Sequence, residues 1–175
     1  TTDVYGHILP YFTAGKPNQG GLAKISTAIK KIREDYKLEA RAYTPLTDNL
    51  SPLLFHTGHE IQGSEVAWFF NNRPIEGKIH PTIATMNAMK YNAMAYGIGE
   101  FSVSPQIRDA RHQESNFAWL NANIYNEKTY RNFDPEEGIK IFTFDVPTAA
   151  HALRIGVLSL ISPSVKKMAE SEYFK

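Results

Sequence analysis

The chain has 175 residues, of which 42% are hydrophobic and 21% charged, with a formal net charge of +1 and no cysteine. That is the composition of one ordinary domain, residues 1–175, with enough apolar content for a core. It argues against a polyanion-binding surface, and so against a nucleic-acid partner, and it excludes disulfides, thiolate metal sites and cysteine nucleophiles.

Thr1 to Val4 reads as the tail of a strand, and Gly6 opens a loop through Pro10, Gly15, Pro17 and Gly20-Gly21 in which regular structure is not expected. From Gly21 to Leu38, Leu22, Ile25, Ile29 and Ile32 recur at helical spacing, with Lys24, Lys30, Lys31, Arg33 and Glu34 mostly on other faces, so an amphipathic helix is predicted to dock these four side chains on a sheet. Leu38 to Pro52 is ambiguous: Ala40, Ala42 and Tyr43 could start a strand, but Pro45, Asp48, Asn49 and Pro52 break it up. Leu53-Leu54-Phe55-His56 reads as a buried strand ending in Thr57-Gly58. Short helices follow at Ser64 to Phe70, with Ser64 as N-cap, and from Pro81 to about Lys90 through Ile83, Met86 and Met89. Ala93 to Tyr96 is a third strand, Pro105 to Ser115 a charged surface helix, and Phe117 to Ile124 strand-like. Asn126 to Gly138 is loop, and Ile139 to Val146 and Leu153 to Leu160 are two further strands joined through Pro147 to His151. Strands alternating with helices predict an α/β layered domain, with antiparallel character near the end. No apolar stretch approaches the roughly 20 residues of a membrane span, and no segment reads as a signal peptide, so no membrane partner is expected.

Three strand ends closed by glycine bear the chemistry: Asp3-Val4-Tyr5-Gly6-His7, Thr57-Gly58-His59-Glu60 and Tyr96-Gly97-Ile98-Gly99-Glu100. Ligands in open α/β sheets sit at the carboxyl ends of strands, so Asp3, His59 and Glu100 are expected in one pocket, with His59 and Glu60 pointing into it.

These segments resemble the 5'-nucleotidases and their relatives, the calcineurin-like dinuclear metallophosphoesterases that include 2',3'-cyclic nucleotide phosphodiesterases and UDP-sugar hydrolases. The resemblance rests on Asp3 to Pro10, Gly20 to Lys24, Gly58 to Gly63, His80-Pro81 through Met86 to Met89, Gly97 to Phe101, and Asn121 to Tyr125. It implies a layered metallophosphoesterase-like sandwich, the N-terminal half of the family's catalytic domain. It further implies a divalent cofactor (zinc, manganese or magnesium), a nucleotide or other phosphate ester as substrate, and an extracellular, periplasmic or cell-surface location.

The family pattern places Asp-x-His, Gly-Asp and Gly-Asn-His-Glu at the three strand ends. Here Asp3 matches, while Tyr5, His59, Ile98 and Gly99 stand where a histidine, the metal-bridging aspartate, an asparagine and the acid-base histidine belong. The family's later histidine ligands lie beyond Lys175. The resemblance thus carries two function readings: a hydrolase of nucleotide phosphate esters with a rearranged site, or a site completed by a further segment or partner chain; and a catalytically silent scaffold, binding or engineered domain holding no metal.

The metal candidates are Asp3 and His59. Asp3 reads as a ligand or as a cap on its glycine turn. His59 could join Asp3, Glu60 and His7 in a mononuclear site, histidine plus carboxylate being suited to zinc, or be a solvated loop residue. Glu100 is structural in the family. His56 within its strand reads as a satisfied buried histidine, and Tyr5 as a packing residue. The Trp68, Phe69, Phe70 cluster could stack on a base, but at helical spacing it reads as core.

Overall fold

The computed structural model describes residues 1–43, 51–125, 129, 131, 133, 138–144 and 152–168. Residues 1–5 run beside the strand at 55–56 in parallel sense. The Thr1 ammonium donates to Phe55 O at 2.8 Å, Thr57 N–H donates to Thr1 O at 3.0 Å, and Tyr5 N–H donates to His59 O at 2.9 Å. This is the expected strand tail in position but not in regularity, because Asp3 and Tyr5 take φ of 51° and 54°, which breaks a ladder.

The expectation of irregular chain between Gly6 and Gly21 is corrected by a hairpin, β1 (Tyr11–Thr13) against β2 (Lys16–Gln19). Its two-residue turn places both Ala14 (φ 47°) and Gly15 (φ 74°) in the left-handed region, the turn geometry that matches strand twist. Pro17 is accommodated because β2 pairs on one side alone.

Helix α1 runs from Leu22 to Tyr43, so the ambiguous stretch up to Tyr43 is helical. Leu22 and Ile29 are buried and Ile25 packs partly against the core, as the periodicity predicts. Ile32 does not dock: it is 57% exposed. The inward stripe continues at Arg33, whose guanidinium donates to Met89 O at 2.7 Å and Lys90 O at 3.2 Å. Ile32 lies one residue, about 100° of helix rotation, off that stripe.

The central sheet is parallel, in the order β3 (Phe55–His56), β4 (Ala93–Ala95), β5 (Ala118–Leu120). Phe55 lies opposite Ala93 and Met94 opposite Trp119. β3 is shorter than its apolar run because Asn92 stands beside Leu54, its side-chain oxygen accepting Leu54 N–H at 2.7 Å. Helices α2 (Glu65–Asn72) and α3 (Pro81–Ala88) connect β3 to β4. Ser64 caps α2 as predicted, accepting Ala67 N–H, and the His80 ring nitrogen caps α3 by accepting Thr82 N–H. A single 3-10 turn (Ile98–Phe101) and α4 (Pro105–Gln113) connect β4 to β5. Ile83, Met86, Met94, Phe101 and Trp119 form the centre of the core.

Two burial expectations are corrected. α4 is not wholly a surface helix: Arg108 and Arg111 are buried, the latter bonded to Asn71 Oδ1 and Glu114 Oε1. Trp68 and Phe69 are not core but 63% and 42% exposed. The inward side of α2 is carried by Ala67 and Asn71, one helical turn apart, which turns residues 68 and 69 outward.

An antiparallel pair, β6 (Ile139–Phe144) and β7 (Leu153–Leu158), follows as expected, with α5 (Val165–Met168) after it. Phe142 reaches back to Phe55 at a ring separation of 5.9 Å. The broken chain expected at 45–50, most of the loop expected at 126–138, the end of the strand expected to reach Val146, and the connection at 147–151 lie outside the described residues.

Candidate functional site

The glycines that close β3 and β4 hold the two strand ends in contact. A Cβ on Gly58 (φ 94°) would stand 2.5 Å from Gly97 N, closer than any side chain tolerates. Glu100, fully buried, ties the same two ends together. Its Oε2 accepts His59 N–H at 2.9 Å and Gly97 N–H at 2.8 Å, and its Oε1 accepts Glu60 N–H at 2.7 Å. The acid is a structural clamp, with charge-assisted bonds to backbone donors that would otherwise be orphaned in the interior.

Above this clamp Asp3 and His59 meet. His59 Nδ1 lies 2.9 Å from Asp3 Oδ1, with the side chains 26% and 46% exposed. At that separation Nδ1 carries the proton and donates to the carboxylate. The Tyr5 ring lies 5.5 Å from the imidazole. Asp3, Tyr5 and His59 all have left-handed backbone, with φ of 51°, 54° and 61°. Three such residues without being glycine, each at a cost of about 1–3 kcal/mol, is the clustering that ligand sites show.

The other expected members point elsewhere. His7 stacks on Tyr11 at 4.0 Å. Glu60 does not face the site: it is fully buried, its Oε2 3.0 Å from His56 Nε2. His56 Nδ1 accepts Gly58 N–H at 3.0 Å, so the ring's single proton resides on Nε2 and the imidazole is neutral. Burial pulls the His56 pKa from 6.5 down to about 4, and burial together with the Glu100 charge pushes Glu60 well above the usual carboxylate range. Despite the ion-pair spacing, the neutral imidazole makes this contact something other than an ion pair. The contact satisfies neither partner as a hydrogen bond, leaving His56 Nε2 and both Glu60 oxygens unpaired in the interior, so the expectation of a satisfied histidine holds for Nδ1 alone. Sequence reasoning aimed Glu60 into the site and missed this pair, for which the His-x-x-x-Glu spacing is the available signal.

Ile98 packs partly against the core and offers no donor atom. Gly99 leaves room for His59: a Cβ there would lie 3.0 Å from the imidazole Cδ2 and 3.1 Å from Gln62 Nε2. A two-metal centre needs a bridging anion and converging donors around both ions. The residues present do not fit it. Asp3 and His59 bond to each other, and among the described residues no three His, Asp or Glu side chains converge to hold a metal. A separate cavity of about 260 Å³ lies between the central sheet and β7, lined by apolar groups including Phe55, Met94, Leu120 and Leu158, and none of Asp3, His59 or Glu100 lines it.

Glycine-closed parallel strand ends are bound together by a buried glutamate, with an aspartate and a histidine above it. The chain has the fold of the calcineurin-like phosphoesterases, and over its length it is similar to proteins of the 5'-nucleotidase type, with most of the ligand positions that this resemblance implies substituted. No family model matches it. It is 24% identical over 172 residues to the trifunctional nucleotide phosphoesterase protein YfkN of Bacillus subtilis (strain 168), covering 94% of this chain and 11% of that protein. It is 23% identical over 169 residues to the 2',3'-cyclic-nucleotide 2'-phosphodiesterase/3'-nucleotidase of Haemophilus influenzae, covering 94% and 24%. The solved structure of the calcineurin-like phosphoesterase YfkN superposes with a TM-score of 0.73 at 21% identity, covering all of this chain and 50% of that one. The chain therefore spans between about a tenth and a quarter of the length of these curated relatives.

Proposed function

We propose that this chain is a nucleotidase-type phosphoesterase domain that does not carry out metal-dependent phosphate ester hydrolysis as it stands. The observation that carries this reading is the Asp3–His59 hydrogen bond at 2.9 Å, which uses the one retained ligand position to satisfy the residue that replaces the bridging carboxylate. Ile98 and Gly99 supply no donor and no acid-base group, the latter of a kind usually worth about 10²- to 10⁴-fold in rate. The extracellular, periplasmic or surface location and the nucleotide substrate class come from ancestry; among the described residues no helix is long and apolar enough to cross a membrane.

The test is turnover of nucleoside monophosphates and 2',3'-cyclic nucleotides by the purified chain with manganese, zinc or magnesium. No more than a trace rate is expected. Robust metal-dependent turnover that survives a control for contaminating phosphatase would overturn the reading. A second reading, a hydrolase completed by a further segment or partner chain, is favoured by the 50% coverage of the solved YfkN chain. It predicts activity that appears when such a segment is added.

A further inference from the structure

The mismatch between the donor set and a two-metal centre has a positive counterpart. We propose that His59 takes over the structural work of a cation: its Nδ1–H clamps the Asp3 carboxylate, and so fastens residues 1–5 to the end of β3, in a site that closes without any divalent ion. The proposal rests on the family reading of residues 3, 59 and 99, but not on whether the chain is an enzyme.

Asp3, with residues 1–5, lies along β3 through a few backbone bonds, Thr1 and Tyr5 bonding to Phe55 and His59 and Asp3 N–H reaching Gly58 O at a long 3.3 Å. Asp3 and Tyr5 both hold left-handed backbone there. A strained segment with so loose a ladder persists when side chains fix it, and the Asp3–His59 bond is the side-chain link between this carboxylate and the far strand end. Replacing a carboxylate at residue 59 by an imidazole enlarges the side chain, and Gly99 supplies the space. With a Cβ at 99 standing 3.0 Å from Cδ2 and 3.1 Å from Cα of His59, the ring in its present place and any larger residue at 99 compete for one volume. Hydrogen bond, left-handed backbone and vacated volume thus answer one another across three separate stretches of sequence.

The experiment is thermal unfolding of the whole chain in EDTA and with zinc or manganese chloride, for the unmodified protein and for His59→Asp, His59→Asn and Asp3→Asn. The unmodified protein is expected to have the same Tm with and without metal. His59→Asp sets two carboxylates against each other and is expected to lower Tm in EDTA by roughly 4 °C or more, and divalent ion is expected to restore part of that loss. His59→Asn tolerates positive φ and keeps an N–H donor near the position of Nδ1, so it is expected to stay within about 2 °C of the unmodified protein. Asp3→Asn, which removes the acceptor charge, is expected to lower Tm by roughly 2–4 °C with no response to metal. A clear rise in the Tm of the unmodified protein at stoichiometric zinc or manganese would overturn the proposal. So would a His59→Asn loss as large as that of His59→Asp, or unchanged stability in Asp3→Asn. Hydrolytic activity, scored separately, bears on the proposed function and not on this clamp.

Discussion

At the scale of single residues, the interior holds histidines kept neutral, and that has a pH consequence. His80 caps α3 with Nδ1, is almost fully buried, and has its pKa lowered from 6.5 to about 4, chiefly by burial and then by the Arg111 guanidinium. Its folded pKa is below its unfolded one, so the unfolded chain binds the extra proton first. The stabilisation is fully present above pH 6.5 and is lost as pH falls toward 4, amounting to about 3 kcal/mol across that window. His80→Asn retains a capping oxygen without titrating. Urea unfolding of this variant at a series of pH values should show a shallower loss of stability between pH 6.5 and 4; an unchanged slope would mean His80 does not titrate in this way. His56 remains in the variant and acts in the same direction. Glu60, whose folded pKa is raised, opposes it, since its contribution is present below pH 4.5 and fades as pH rises through the raised value. The sequence marked His56 by its place in an apolar run, but it singled out neither His80 as a buried histidine nor Glu60 as the partner of His56, because contact between residues 56 and 60 depends on how the Gly58 turn folds back.

Among the elements, α1 separates what periodicity can tell from what it cannot. Four isoleucine and leucine positions fit a helical stripe, yet the sheet accepts Leu22, Ile25 and Ile29 and turns away Ile32 in favour of Arg33, whose donors find the carbonyls at the end of α3. The pattern defines the helix; the carbonyls it will meet are not written in it. Ile29→Ala should therefore destabilise by about 2–5 kcal/mol through lost burial and the cavity left behind. Ile32→Ala should fall within about 0.5 kcal/mol of the unmodified chain, as an exposed change does. Equal losses at the two positions in denaturant titrations would show that the helix is rotated from this register. The same contrast runs through the strands. β4 and β5 were legible because alanine, methionine, tryptophan and leucine form short apolar runs between turn residues. The β1–β2 hairpin was not, because its two left-handed turn residues are Ala14-Gly15, and alanine gives no warning of positive φ.

Across the whole molecule, the candidate site was legible as a place but not as a chemistry. Glycine endings at 58 and 97 bring residues 3, 59 and 100 near one another, but Glu100 is buried on backbone donors beneath Asp3 and His59 rather than sharing a pocket with them. That Asp3 would bond to His59, and that Gly99 would make room for it, follows from three stretches that meet only in the folded chain. This coupling governs what restoring the family pattern will do. Gly99→His alone adds a side chain where His59 already stands, and should destabilise the protein. Together with His59→Asp the same change should be tolerated, because the competing ring is gone, so the two substitutions should be strongly non-additive. The quadruple variant Tyr5→His, His59→Asp, Ile98→Asn and Gly99→His places four donor side chains at strand ends already held by Glu100. Its affinity for zinc or manganese should exceed that of the unmodified chain by roughly tenfold or more in calorimetric titration. Turnover of nucleoside monophosphates should nevertheless stay low, since the four substitutions restore donors at these strand ends alone, and a two-metal centre needs converging donors around both ions. Metal affinity no better than that of the unmodified chain would mean that the strand ends no longer hold the geometry the ligands need, and full turnover would mean that the N-terminal part suffices for catalysis.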